Sequence, residues 1–261
     1  MGLPKDVVDV GDGFWNIRGS FKVGGLVDVR THCSLVRLAS GKFVFLDAYA
    51  LPDEVKAWVD AQTDGGKAVE AILNLHPFHT VYVRKKLRMY PHAKLFGTVR
   101  HHGKHDDLPW EEEHAETESF AERFAADFDF TVPRGVELVP DDENLHFSSV
   151  LAIHRASKTL HVDDTLNYAR LPKILSGLKK DVLRFHPTLG KVLERRAGAV
   201  KDFRAWAEEL IERLRDVDNL CTAHVGNLLA SENDGPSIAA RVRKAYDKLD
   251  GTLSKHASRY G

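Results

Sequence analysis

The sequence has 261 residues, of which 43% are hydrophobic and 29% are charged, a composition typical of a globular protein with one sizeable core. It carries 37 Lys and Arg residues against 38 Asp and Glu residues. The resulting net charge of -1 gives no general attraction to nucleic acid or to anionic lipid. We therefore expect a small-molecule substrate or ligand, and neither a nucleic acid nor a membrane, as the partner. The oligomeric state is left open by the sequence.

The cysteine content and the N-terminal residues indicate the compartment. Cys33 and Cys221 are the two cysteines, which suits a reduced protein better than a disulfide-stabilised one. The first residues lack the apolar region of a signal peptide, and no segment approaches the roughly 20 apolar residues of a membrane span. These features predict a cytoplasmic protein.

The first hundred residues alternate between strand and helix patterns. Residues 34–38 and 43–46 are apolar runs that predict a hairpin, with a turn at Ser40-Gly41. A short helix is predicted after Pro52, because Val55, Trp58 and Val59 fall on one face of it. The later elements of this region are a strand over 69–75, a helix over 83–90 and a strand over 94–98. This alternation favours an α/β layer architecture.

Two stretches of this region have unusual side chains. Arg84, Lys85, Lys86 and Arg88 are predicted to form a solvent-exposed face of the helix over 83–90, with anion binding as a less favoured alternative. Residues 100–107 contain three histidines and are predicted to form a solvated loop, which can also act as part of a lid.

The second half of the chain has fewer predicted strands and more helix. A helix is predicted from Pro109, with Phe120, Phe124 and Phe128 on one face. Three strands are predicted over 136–139, 147–153 and 159–162, and the chain from about residue 170 is predicted to be mainly helical. No linker or repeat interrupts the sequence, so a single domain over residues 1–261 is the expected organisation.

Candidate metal ligands follow several of the predicted strands. They are His76 with His79, then His146, Asp164 and His224. Loops at strand ends are where α/β sheets bind ligands, and a catalytic metal needs imidazole and carboxylate groups from several elements. Taken singly, a histidine after an apolar strand is more often a structural residue that forms a hydrogen bond than a metal ligand.

In their order along the chain, these residues resemble the motifs of the metallo-β-lactamase-like hydrolase superfamily. That family has an H-x-H-x-D-H motif after a strand, and here residues 74–79 are Asn-Leu-His-Pro-Phe-His. A later lone histidine, an aspartate at a strand end and a last histidine of the family match His146, Asp164 and His224. The resemblance covers nearly the whole chain and implies an αββα sandwich of two mixed β-sheets flanked by helices.

The sequence departs from the family motif at two ligand positions. Asn74 replaces the first histidine of the motif, and Phe78 replaces its aspartate. An amide oxygen is a poor ligand for zinc, whereas two histidines and one carboxylate still suffice to hold one metal ion. The resemblance therefore implies at most one metal, zinc or iron, and an absence of any metal is the alternative.

The function that the resemblance implies is metal-dependent hydrolysis of an ester, thioester, amide or phosphodiester. Asp164 is the expected bridging ligand, and Asp163 is the expected base or outer-shell carboxylate. The alternative is a metal-free relative that has lost its chemistry and keeps the fold for binding or assembly. Phe78 in a ligand position favours that alternative, because an apolar ring beside a metal disturbs the groups that orient its ligands.

Overall fold

The computed structural model of this protein describes residues 2–23, 27–28, 30–170, 181–224 and 226–261. Contacts divide the chain into two compact units. The first unit comprises Met1–Asp129 and His154–Ser157, and the second comprises Phe130–Ile153 and Lys158–Gly261. The organisation of the chain as a single domain stays a prediction.

A six-stranded mixed sheet forms the centre of the first unit. Four neighbouring strands are antiparallel, and the last two join in parallel. A separate pair of two-residue strands lies outside this sheet. In chain order the strands of the unit's sheets are β1 (Val7–Gly11), β2 (Phe14–Gly19), β3 (Lys22–Val23), β4 (Val27–Asp28), β5 (Thr31–Arg37), β6 (Phe43–Leu46), β7 (Val69–Leu73) and β8 (Lys94–Phe96).

The predicted hairpin is confirmed as the pair β5 and β6. Their antiparallel register places Ser34 opposite Leu46 and Arg37 opposite Phe43. Gly41 adopts a φ of +83° in the turn, a conformation that glycine reaches without steric cost. Both strands are buried along most of their length, which explains their nearly continuous apolar sequence.

Helices and a shared apolar core complete the first unit. Val55, Trp58 and Val59 are buried, as predicted, and pack with residues of the sheet in one core cluster. The positive φ angles of Asp64, Gly65 and Gly66 follow the end of the first helix. The helices are α1 (Asp53–Gln62), α2 (Val83–Met89), α3 (Val99–Lys104) and α4 (Glu118–Arg123).

The second sheet is also mixed and has five strands. Its spatial order is β15, β14, β11, β10 and β9, with β14 and β11 parallel and β15 antiparallel to β14. A separate two-stranded ribbon pairs β12 with β13. These strands are β9 (Phe128–Thr131), β10 (Leu151–His154), β11 (Thr159–Val162), β12 (Leu166–Arg170), β13 (Asp181–Phe185), β14 (Asn219–Thr222) and β15 (Asn227–Leu228).

The helices of the second unit pack on its core with amphipathic faces. The apolar face of the longest helix is buried, with Phe203, Trp206 and Leu210 fully inside the core. The helical content expected for the C-terminal part is interspersed with the last three strands, and residues 171–180 lie outside the described part of the chain. The helices are α5 (Leu189–Val192), α6 (Ala199–Arg213), α7 (Ile238–Asp247) and α8 (Asp250–Tyr260).

The prediction of a helix from Pro109 was wrong. Residues 109–117 instead run beside β8, where Glu111 donates a backbone hydrogen bond to Leu95 and Ala115 donates one to Gly97. These tertiary bonds occupy backbone groups that a helix would use internally. Helix α4 begins only at Glu118, and Phe128 belongs to β9 instead of the same helical face.

Two further strand predictions need correction. Residues 136–139 form no strand, because the pairing there is a single bridge between Val136 and Leu193. The strand expected over 147–153 begins only at Leu151, since the backbone N–H of Ser149 donates to the Thr165 hydroxyl instead of a neighbouring strand. The strand over 159–162 is confirmed as β11.

Each unit contains a mixed sheet and several helices, which confirms the predicted α/β class. None of the helices in the described part of the chain is long and apolar enough to cross a membrane.

Candidate metal centre

Asp164 and His224 are brought together by two neighbouring parallel strands. In the pairing of β11 with β14, Val162 lies opposite Thr222, so the residues that follow both strands leave the sheet at the same edge. Asp164 and His224 each stand two residues beyond that pair. As a result, Nε2 of His224 lies 2.8 Å from Oδ1 of Asp164.

His146 approaches the other oxygen of the same carboxylate. Its Nδ1 lies 3.7 Å from Oδ2 of Asp164, and its Nε2 lies 2.5 Å from the backbone carbonyl oxygen of Glu143. A carbonyl oxygen accepts only, so Nε2 carries the hydrogen, and in the neutral ring Nδ1 presents a lone pair toward Asp164. The Thr188 hydroxyl donates to the His146 carbonyl at 3.1 Å and anchors this loop.

The carboxylate between these histidines is almost fully buried. The side chain of Asp164 is 3% exposed, whereas those of His146 and His224 are 40% and 23% exposed. A buried carboxylate is costly unless positive charge lies beside it. A shared cation, either a proton or a metal ion, also relieves the repulsion between the Nδ1 lone pair of His146 and Oδ2 of Asp164.

This donor set fits a single metal ion. Two imidazoles and one carboxylate form a ligand set that holds zinc or non-haem iron and leaves coordination positions open. The backbone hydrogen bond of His146 also follows the usual pattern for metal-binding histidines, in which the other ring nitrogen donates to a carbonyl or carboxylate. His146, Asp164 and His224 all belong to the second unit.

The motif residues His76 and His79 form a different arrangement in the first unit. Their rings stack with centroids 4.1 Å apart, and a ring nitrogen of one lies within 4.8 Å of a ring nitrogen of the other. The backbone N–H of Phe78 donates to Nδ1 of His76 at 3.1 Å, which places the ring hydrogen of the neutral form on Nε2. For His76 to bind a metal, either this bond must break or the ring must lose its Nε2 hydrogen.

The two residues that replace family ligands have their own contacts in the first unit. The side-chain amide of Asn74 donates to the carbonyl of Phe96 at 2.7 Å, while its buried Oδ1 accepts no hydrogen bond from the described residues. The half-buried ring of Phe78 lies under the guanidinium of Arg100, with 4.5 Å from the ring centroid to Cζ. An aromatic ring and a cation thus occupy the position of the missing aspartate.

The prediction of a solvated loop over 100–107 was wrong. Residues Val99–Lys104 form α3, and His101 is fully buried, with Nδ1 accepting hydrogen bonds from the backbone and hydroxyl of Thr98. Burial chiefly, and then the proximity of His76 and His79, lowers the pKa of His101 to about 3. The imidazole therefore stays neutral at physiological pH. Thr98 and His101 form a capping box at this helix start, with histidine in the position where the sequence signature has glutamate or glutamine.

Sequence reasoning missed two buried polar pairs, one in each unit. In the first unit, a ring nitrogen of His32 lies within 4.8 Å of a carboxylate oxygen of Asp47, and Asn16 lies 3.1 Å from Nδ1 of His32. In the second unit, a ring nitrogen of His161 lies within 4.8 Å of a carboxylate oxygen of Asp163. The available signal was polar residues inside strands that are otherwise apolar and buried.

Asp47 also has a structural contact that explains its place after β6. It adopts a φ of +62° and accepts a hydrogen bond from the backbone N–H of Leu75 at 2.9 Å. Positive φ is uncommon for residues other than glycine, and aspartate tolerates it better than most. The carboxylate thereby fixes the backbone just ahead of His76.

The sequence matches no protein-family model and no curated protein. Solved structures, in contrast, resemble the chain over nearly its full length. A metallo-β-lactamase from Erythrobacter litoralis is similar with a TM-score of 0.59 and 11% identity, covering 95% of this chain and 99% of the other. One from Hirschia baltica has a TM-score of 0.54 and 14% identity, covering 94% and 97%. One from Pontibacter korlensis has a TM-score of 0.54 and 11% identity, covering 92% and 98%.

These likenesses show that the chain has the metallo-β-lactamase fold, an αββα sandwich of two mixed β-sheets flanked by helices. The resemblance that the sequence motifs indicate is thereby confirmed at the level of the fold. The assignments of His76, His79, His146, Asp164 and His224 as metal ligands, and of Asp163 and Asp164 as catalytic residues, stay predictions.

Proposed function

We propose that this protein is a metal-dependent hydrolase-like protein that binds at most one metal ion, zinc or iron, and acts on a small molecule. The observation that carries the proposal is the position of the Asp164 carboxylate, with His224 at 2.8 Å from one oxygen and His146 at 3.7 Å from the other. His146, Asp164 and His224 would hold the metal. His76 and His79 are the other proposed ligands, and their contribution is tested separately.

The residues of the second unit have distinct parts in this proposal. A bound divalent metal supplies Lewis-acid chemistry, which polarises the scissile group and acidifies water. Glu143 holds the ring of His146 in one orientation through its carbonyl, and Asp164 places a buried carboxyl group between the two histidines. Asp163 is the proposed proton acceptor, since the residue is 1% exposed and a carboxylate oxygen lies within 4.8 Å of a His161 ring nitrogen.

The scissile bond is proposed as an ester, thioester, amide or phosphodiester, and specificity among these depends on loops, which vary independently of the fold. The near-neutral net charge supports a small-molecule substrate over nucleic acid or a membrane. The low cysteine content supports a cytoplasmic location.

A second candidate function is binding or assembly without a metal. It is favoured by the first-unit residues, where the Arg100 guanidinium covers the Phe78 ring and Nδ1 of His76 is already bonded to a backbone N–H. Both contacts are satisfied without any metal ion. In this case Asp164 and its two histidines form an ion pair network in place of a metal site.

Metal content distinguishes the two functions. We would measure zinc and iron by elemental analysis in protein purified without a His-tag or chelator, and again after reconstitution with each metal. The proposed function predicts about one metal ion per chain in the native protein and a large loss in His224→Ala. His256→Ala is the matched control, because His256 lies in the same unit and bonds the carbonyl of Glu194.

A native protein that stays below about a tenth of an equivalent after reconstitution would contradict the metal-dependent function and leave the binding function. If the metal content of His224→Ala equals that of the native protein, the metal is bound elsewhere. With occupancy established, hydrolysis of ester, thioester, amide and phosphodiester model substrates by native protein and by Asp163→Asn would test the proposed proton acceptor.

A further inference from the structure

Lys86 is a fully buried lysine in the middle of α2. The sequence pattern predicts that it shares an exposed basic face with Arg84, Lys85 and Arg88, but its exposure is 0%. Lys85, its neighbour on the same helix, is exposed as expected. Lysine is among the residues least often buried, because a desolvated ammonium is costly unless it is paired.

The amine of Lys86 lies beside a thiol and an aromatic ring. Its Nζ is 3.8 Å from Sγ of Cys33 and 3.5 Å from the centroid of the Phe45 ring. Cys33 is itself fully buried on β5, and both residues belong to the first unit. Among the described residues, no carboxylate forms an ion pair with Lys86, so the thiol is its polar partner.

Burial favours the uncharged forms of both groups. It lowers the pKa of Lys86 to about 8 and raises the pKa of the Cys33 thiol. A larger share of Lys86 is therefore the neutral amine than for a lysine in water. A neutral amine has a free electron pair, and this one stands within a short side-chain movement of a sulphur atom.

From this geometry we propose that Lys86 and Cys33 form a covalent modification site, in which hydrogen peroxide joins the two side chains through a sulphur–nitrogen bond. In the first step the Cys33 thiol passes its proton to Nζ of Lys86 and the thiolate attacks peroxide; the S–H and O–O bonds break, an S–O bond forms, and the released hydroxide takes the proton back from Nζ and leaves as water. In the second step Nζ of Lys86 attacks the sulphur of this sulfenic acid; the S–O bond breaks, the S–N bond forms and a second water leaves. The thiol and amine lose two electrons, and peroxide gains them.

The position of the lysine decides the fate of the oxidised sulphur. A sulfenic acid normally continues to sulfinic and sulfonic acid or meets another thiol. Here the amine of Lys86, held by packing against Phe45, lies 3.8 Å from the sulphur and is a nucleophile within reach. Cys221 is equally buried in the second unit and serves as the internal reference for oxidation of a buried thiol in the same sample.

The test is mass spectrometry of the full-length protein after treatment with hydrogen peroxide. We would digest with a protease that cleaves after glutamate, because a modified lysine resists trypsin. We expect a cross-linked product that contains Cys33 and Lys86, lighter than the two separate peptides combined by two hydrogen atoms. It should revert to the separate peptides on treatment with a thiol reductant.

Two variants test the assignment. Lys86→Met removes the amine at similar volume and should abolish the cross-link, leaving Cys33 reduced or oxidised only by addition of oxygen atoms. Lys85→Met is the matched control on the same helix and should leave the cross-linked fraction unchanged. Thermal unfolding of both variants checks that the fold is retained, and if Lys86→Met does not fold, the native measurement alone decides.

Native protein in which Cys33 gains oxygen atoms while Lys86 stays unmodified would overturn the proposal. The proposal would also be overturned if Cys33 stayed reduced at peroxide concentrations that oxidise Cys221. A cross-link from Cys33 to any other residue would equally overturn it.

Discussion

Two buried histidines of the first unit and two histidines of the candidate site in the second unit have different partners. In the first unit, His101 and His154 are buried, and each places Nδ1 beside a hydroxyl group, that of Thr98 or that of Ser157. In the second unit, His146 and His224 instead face the carboxylate of Asp164. A hydroxyl bonds one nitrogen of a neutral imidazole and adds no charge, whereas a carboxylate between two imidazoles still attracts a cation. The partner, more than burial or sequence position, thus separates a structural histidine from a candidate ligand.

The largest expected effect is on metal binding in the second unit. Asp164→Ala removes the one carboxylate that both histidines face, so the site loses its negative charge and an oxygen ligand. We expect the metal affinity to fall by more than about 100-fold, beyond the usual effect of changing an outer-shell residue. Calorimetric titration with zinc measures this change.

Asp218→Ala is the control for that variant. Asp218 lies in the same unit, and its side chain is 54% exposed and pairs with Lys158. Its removal should leave the zinc affinity unchanged. Equal losses in both variants would show that charge in general, and not the Asp164 carboxylate, governs binding.

The second-largest expected effect is on stability at acid pH, and it arises from His154 in the first unit. Burial lowers the pKa of His154 to about 4, from an ordinary value of 6.5. Between these values the unfolded chain binds a proton that the folded chain does not, so the free energy of unfolding falls as the pH drops through this window. The loss due to His154 should reach about 2 kcal/mol at pH 5 relative to pH 7.

Denaturant unfolding of metal-free protein at both pH values measures that loss. His154→Asn keeps an acceptor near Ser157 and removes the titrating ring, so its stability should depend less steeply on pH by about this amount. His92→Asn, which changes an exposed histidine, should keep the native dependence. If His154→Asn also keeps it, then His154 does not stay neutral in the folded protein.

The elements that could be predicted from the sequence are those that depend on local sequence pattern. The hairpin of β5 and β6, helix α1 and the buried face of α6 follow from apolar periodicity and turn residues. The region 109–117 could not be predicted in the same way, because its backbone bonds go to β8, which is distant in sequence. The burial of Lys86 could not be predicted either, because its partner Cys33 lies 53 residues earlier.

The same distinction, between local pattern and contacts distant in sequence, applies to the candidate site. The order of His146, Asp164 and His224 along the chain was enough to indicate the fold and to select residues that meet at one carboxylate. The contacts of Asn74 and Phe78 could not be predicted from the sequence, because their partners Phe96 and Arg100 are distant along the chain. The sequence indicated that two ligands were replaced, and the structure gives the groups that the replacing side chains contact.

A smaller effect is expected from His79, because the first-unit pair of imidazoles includes no carboxylate ligand from its own motif. His79→Ala should lower the zinc affinity by about 10-fold, less than His224→Ala does. The same titration compares the two variants. A loss from His79→Ala as large as that from His224→Ala would mean that the motif histidines share the metal equally with the second-unit residues.

The smallest effect is expected where the family aspartate is restored. In Phe78→Asp the new carboxylate would meet the guanidinium of Arg100, which now lies 4.5 Å from the Phe78 ring centroid. Phe78 and Arg100 are both partly exposed, and an ion pair or a cation–π contact at such a position is worth about 1 kcal/mol, so the stability should change little. The metal stoichiometry should also stay the same, because Arg100 neutralises the carboxylate.

Adding Arg100→Ala to Phe78→Asp frees that carboxylate and should raise the metal stoichiometry above that of Phe78→Asp alone, as measured by elemental analysis after reconstitution. Arg100→Ala by itself controls for the loss of the cation and should leave the native stoichiometry. If Phe78→Asp alone already gains metal, Arg100 does not compensate the new charge. If the double variant gains none, the missing aspartate is not what limits the first unit, and the bonded Nδ1 of His76 becomes the remaining obstacle.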